Sequence, residues 1–133
     1  MNEKAIRWRQ RYQNLNKAFL QLNDAVNRVD KLSTLEKEGL VQRFEYTFEL
    51  CWKTLKDYLE AQEVEARFPR EVIKYSFQYE IIKNGEAWME MLEKRNMMAH
   101  TYDEAIFNEA IQNIVTVFFP EVRKLMDFLK NQV

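Results

Sequence analysis

The sequence predicts an all-α protein, and three observations carry the prediction. Only two glycines and two prolines interrupt 133 residues. Neither β-branched runs nor strict apolar–polar alternation dominates the chain. Long stretches instead repeat apolar residues at alternating steps of four and three, the period of helices packed in a bundle. The length suits a single domain, residues 1–133, with room for a full core.

The first helix is expected from about Glu3 to Val29. Trp8, Tyr12, Leu15, Phe19, Leu22, Val26 and Val29 form its seam, which suits a long antiparallel bundle helix. Lys4, Arg7 and Arg11, with Arg9 nearby, make a basic row on the same helix. That row is either a solvated face or a phosphate-contacting strip. Asp30-Lys31-Leu32 turns the chain, and Ser33-Thr34-Leu35-Glu36 reads as a capping box that starts the second helix. Its stripe is Leu40, Phe44, Phe48, Cys51, Leu55, Tyr58 and Leu59, with Gly39 as a weak point near the start. Cys51 on that stripe reads as a small core residue. Tyr46, Leu50 and Lys53 make another row, which with Trp52 widens the apolar surface, as expected of a central helix or one that meets a partner.

Pro69 is placed to be the first residue of a short third helix, running to about Ile82 with Ile73, Phe77 and Ile81 inward. Asn84-Gly85 ends it and can cap the fourth. Trp88, Met91, Leu92, Arg95 and Ala99 lie on one face of that fourth helix, expected to end near Ala99. Thr101-Tyr102-Asp103-Glu104 reads as a further capping box, so a fifth helix is expected from Thr101 to about Lys130. Its seam is Ile111, Val115, Phe118, Val122, Leu125 and Leu129, with a kink expected at Pro120. Residues 114–119 are apolar nearly all round, which implies a buried centre or an interface.

Several function classes lose support here. The formal net charge is −1, so nucleic-acid binding needs a local basic patch rather than a whole-molecule field. One cysteine fits a reduced, cytoplasmic setting. The N-terminal residues do not read as a signal peptide, and no apolar run approaches membrane-spanning length. One histidine and one cysteine, far apart, give no metal-ligand spacing, and two glycines give no phosphate loop; no cofactor is expected.

What remains is a polar set at the break between the last two predicted helices: Arg95, Asn96, His100, Tyr102 and Asp103. Arg95 lies in the apolar stripe of its helix, where a guanidinium requires a counter-charge or an opening. Along an unbroken helix Arg95 and His100 point about 140° apart, so the break is what lets them converge, within one chain or across a dimer axis. Chemically the set suits metal-independent phosphodiester cleavage. A histidine near neutral pKa moves protons, and an arginine fork stabilises a pentacoordinate phosphorane. The same residues also fit a purely structural helix junction. Tyr102 fits either a packing role or a modified hydroxyl.

The pattern Arg95-Asn96-x-x-x-His100-x-Tyr102, before the last long helix of an all-α chain, resembles the HEPN domain and, within it, the HepT branch. That branch includes the nucleotidyltransferase substrate-binding proteins. The stretch Gln42 to Leu55, with its Phe44-to-Lys53 core, resembles the family's long helix. The resemblance covers nearly the whole chain. It implies an antiparallel up-and-down bundle of about five helices that forms a homodimer or higher oligomer. It also implies a toxin–antitoxin role as an endoribonuclease with a composite site at the dimer interface. Arg95 and His100 become the catalytic pair and Asn96 the polar residue beside them. The implied partners are an RNA substrate and an MntA-like minimal nucleotidyltransferase, which transfers AMP to Tyr102 and silences the toxin. The alternative the resemblance allows is a non-catalytic accessory subunit that presents substrate to a nucleotidyltransferase.

Overall fold

The computed structural model describes residues 2–95 and 103–133. Among them every regular element is helical. They are α1 (Glu3–Asn27), α2 (Thr34–Ala61), α3 (Pro69–Gln78), α4 (Gly85–Lys94), α5 (Glu104–Asn113) and α6 (Phe119–Lys130). A 3₁₀ turn, Val29–Lys31, joins α1 to α2, and a π-helical turn, Ile114–Phe118, joins α5 to α6.

The helix starts follow from their caps. Asn2 Oδ1 accepts from Ala5 N–H at 2.8 Å and opens α1. The Ser33–Glu36 capping box is complete, with Glu36 N–H donating to Ser33 Oγ at 3.1 Å and Ser33 N–H to Glu36 Oε1 at 2.8 Å. Pro69 sits in the first turn of α3, as its missing N–H allows. Asn84 Oδ1 accepts from Ala87 N–H at 3.1 Å and caps α4.

Two helix ends fall earlier than the apolar spacing suggests. Rather than running to Val29, α1 stops at Asn27, and the chain tightens into the 3₁₀ turn. Rather than continuing to Ile82, α3 stops at Gln78. There Glu80 takes a left-handed conformation (φ 62°), and Ile81 N–H returns to the Ser76 carbonyl at 2.8 Å. This is a Schellman ending with glutamate where glycine is usual. Ile81 and Ile82 are therefore buried as a loop, and Phe77, expected inward, is 52% exposed.

The fifth predicted helix corresponds to α5, the π turn and α6 run end to end. It begins at Glu104 rather than Thr101, because Asp103 Oδ1 accepts from both Ala105 and Ile106 N–H, at 2.9 and 3.1 Å. Thr101 lies outside the described residues. Near Pro120 the structure has the π turn, in which Phe119 N–H reaches back five residues to the Ile114 carbonyl. The widened turn accommodates a proline that lacks a donor and crowds the carbonyl four residues before it.

The core sits where the long helices meet. Trp8, Leu15 and Leu22 of α1 face Phe44, Phe48, Leu55 and Tyr58 of α2, all buried. Short connection and facing ion pairs make α1 and α2 an antiparallel hairpin. Against it pack Phe118 on Phe44 (ring centroids 5.5 Å apart) and Phe119 on Phe19 (5.4 Å). From α4, Trp88 reaches Phe48 with centroids 6.2 Å apart. Each fully buried side chain of this kind contributes about 1.5–3 kcal/mol. The α2–α4 contact made by Phe48 and Trp88 positions the candidate site, because Glu49 lies on α2 and Arg95 follows the last residue of α4.

Candidate functional site

Arg95 follows the last residue of α4 and keeps helical torsions (φ −55°, ψ −36°). Upstream, Trp88 and Met91 are buried and Trp88 reaches Phe48, so the helix face that carries Arg95 is turned toward α2. Its guanidinium is 27% exposed and pairs with Glu49 of α2: Nη1 donates to Glu49 Oε1 at 2.9 Å. The counter-charge demanded by an arginine in an apolar stripe is therefore supplied from across the bundle. The second carboxylate oxygen, Oε2, accepts from Trp52 Nε1–H at 2.8 Å. Glu49 is thus gripped from both sides, by the indole three residues along its own helix and by the arginine of α4.

An arginine carries five N–H donors. One is engaged by Glu49, and the other four make no hydrogen bond to it. A part-open guanidinium can bind a phosphate oxygen through N–H groups that its carboxylate partner does not take. The expected partners Asn96, His100 and Tyr102 lie outside the described residues, as does the expected helix end near Ala99. Asp103 is described, and its carboxylate is occupied as the α5 cap.

The basic row on α1 is not an open strip. Arg11 pairs with the buried carboxylate of Asp57, and Arg7 lies 3.5 Å from Glu60. Both guanidinium groups turn to α2 and knit the hairpin. Cys51 is fully buried, and burial pushes its thiol far above the ordinary range, so it is a core residue and not a nucleophile. Among the described residues no group of three or more His, Cys, Asp or Glu side chains is placed to hold a metal ion. A groove of about 960 Å³ runs between α3 and α4, lined by Phe77, Met89, Lys74, Lys83 and Lys94 among others, and ends one residue short of Arg95 in sequence.

Glu49 is the site residue that sequence reasoning did not name. Its signal was present in two parts: Arg95 needed a carboxylate, and Glu49 is a carboxylate on the helix whose apolar surface was too wide for a solvated one.

The family described as "Nucleotidyltransferase substrate binding protein like" matches residues 10–131. The chain belongs to this family. The HepT-type resemblance agrees with a curated relative, "Probable ribonuclease HepT" of Haemophilus influenzae, 25% identical over 71 residues. That match covers 50% of this chain and 49% of the relative, so it spans about half of each. A crystal structure of a Thermus thermophilus protein has the same fold: TM-score 0.74 at 26% identity, covering 89% of this chain and 97% of that one. In this chain the all-helical bundle presents an arginine at the end of α4.

Proposed function

We propose that the chain is a HepT-type endoribonuclease, the toxin of a toxin–antitoxin pair, acting in the cytoplasm as a homodimer with residues 1–133 as one unit. The observation that carries this reading is the Arg95 guanidinium: part-open at the end of α4 and anchored to Glu49 through Nη1, with the rest of its fork not taken by that carboxylate. Membership of the nucleotidyltransferase substrate-binding family and the HepT relative support it.

In this reading the 2′-hydroxyl of RNA attacks the adjacent phosphorus, and the bond to the 5′-oxygen breaks. The products are a 2′,3′-cyclic phosphate and a 5′-hydroxyl. His100 takes the proton from the 2′-oxygen or returns one to the leaving 5′-oxygen. Arg95 steadies the phosphorane, and Asn96 orients the phosphate. Control comes from an MntA-like nucleotidyltransferase: the Tyr102 oxygen attacks the α-phosphorus of ATP, pyrophosphate leaves, and an AMP group remains on Tyr102. The added phosphate competes for Arg95, and the nucleoside blocks RNA.

The test is RNA cleavage by the purified chain, with and without prior co-expression with the nucleotidyltransferase. Cleavage that disappears in Arg95→Ala and His100→Ala, and in protein whose intact mass shows added AMP, is the expected result. A protein that binds the nucleotidyltransferase but cuts no RNA in any state contradicts it. That outcome favours the second reading, an accessory subunit that presents substrate, which the family description itself supports.

A further inference from the structure

We propose that Glu49 is a positioning residue for Arg95, a tether that fixes the guanidinium so that its remaining donors meet an RNA phosphate. The proposal rests on the reading that Arg95 binds phosphate. It adds a residue to the site and a sign to its effect.

The geometry carries it. Glu49 stands on α2 between Phe48 and Cys51, two side chains that are fully buried, so its backbone is held by the core. Its carboxylate has both oxygens engaged on opposite sides, Oε2 by Trp52 Nε1–H at 2.8 Å and Oε1 by Arg95 Nη1–H at 2.9 Å. Trp52 fixes the orientation of the carboxylate, and the carboxylate fixes the arginine. Arg95 follows the last turn of a short helix, and an untethered arginine there samples many rotamers. Substrate must then order the side chain at the moment of binding, which lowers the population of the productive geometry.

Charge gives the second half of the argument. A negative Glu49 offsets the charge of Arg95, so a phosphodiester with one negative charge is drawn weakly. A phosphorane carries close to two, and gains more from the same guanidinium. The tether therefore favours the transition state over bound substrate, which raises kcat rather than lowering KM. A residue that served only to close the α2–α4 contact has no such signature.

The experiment is a double-mutant cycle on cleavage of a mixed-sequence single-stranded oligoribonucleotide, with Glu49→Gln, Glu49→Ala, Arg95→Ala and the Glu49→Ala/Arg95→Ala pair. Melting curves confirm that each variant is folded, and Glu49→Gln serves if Glu49→Ala is not. Loss of orientation is expected to lower kcat about 100-fold in Glu49→Ala, with KM unchanged or reduced. Glu49→Gln keeps an acceptor for Arg95 but loses the charge, and is expected to fall between Glu49→Ala and wild type with the lower KM. Adding Glu49→Ala to Arg95→Ala should change nothing further, because Glu49 acts through Arg95. A second readout is the Trp52 indole N–H resonance, assigned with Trp52→Phe. Inorganic phosphate should shift it in wild type and not in Arg95→Ala. Wild-type kcat in Glu49→Ala or Glu49→Gln beside an inactive Arg95→Ala overturns the tether alone, as does additivity in the double variant. Wild-type cleavage by Arg95→Ala overturns the phosphate role of Arg95 and the tether with it.

Discussion

Arg11 of α1 closes an ion pair on Asp57 of α2, whose carboxylate is 4% exposed. The pair turns what reads in sequence as a basic strip into a brace between the two longest helices. Removing the arginine leaves a carboxylate almost without water and without its partner. Because the Arg11 side chain itself is 42% exposed, solvent reaches the pair and reduces the loss. Arg11→Ala is expected to lower stability by about 2 kcal/mol in urea titration, less than a fully buried pair loses. RNA affinity of the folded variant should match wild type. A large drop in affinity with unchanged stability restores the phosphate-strip reading of this row.

The seams of the long helices were legible because their spacing is redundant. Trp8 to Leu22, Leu40 to Leu59 and Phe118 to Leu129 each repeat the period several times, and most of the large buried side chains of these helices fall on them. The helix ends were less legible where the chain departs from usual chemistry. Both α2 and α3 end in Schellman turns with Glu63 and Glu80 at positive φ, positions where a glycine normally announces the stop. At the start of α5 two capping residue types, Thr101 and Asp103, stand two apart, and the local pattern does not rank them. The Arg95 counter-charge was legible as a need but not as an address, because Glu49 lies 46 residues earlier and only the fold brings it near.

Those left-handed glutamates give a stability prediction. A left-handed conformation costs a non-glycine residue about 1 kcal/mol. Glu63→Gly is therefore expected to raise the thermal midpoint despite the extra freedom of glycine in the unfolded chain. The converse exchange applies within α2. A Cβ at Gly39 meets nothing within 4 Å, so Gly39→Ala should stabilise by about 0.5–1 kcal/mol through helix propensity. Thermal unfolding of the two variants measures both, and a lower midpoint in Gly39→Ala contradicts the open space above it.

Cys51 predicts a pH dependence. Its thiol is raised above the ordinary value of 9.0 by burial, so the folded state holds the proton to a higher pH than the unfolded chain does. For a group raised on folding, the contribution is complete below the unfolded pKa and declines as pH rises beyond it. Stability should thus fall above about pH 9, with a shallower fall in Cys51→Ala. Tyr12 and Tyr58 are raised too, chiefly by burial, and steepen the decline above pH 10.0, so the cysteine is read below that value. The native thiol should resist alkylation that the unfolded chain undergoes. Rapid modification of folded protein at about pH 8 contradicts the core assignment.

The central claim is that Arg95 serves cleavage that uses the ribose hydroxyl. A DNA oligonucleotide with one ribonucleotide at its centre tests it most directly, with products identified by mass spectrometry. The account predicts a single cut on the 3′ side of the ribose, ending in a 2′,3′-cyclic phosphate and a 5′-hydroxyl, absent for the all-DNA strand and lost in Arg95→Ala. Cleavage of the all-DNA strand, a 5′-phosphate product, or an undiminished rate in Arg95→Ala contradicts it.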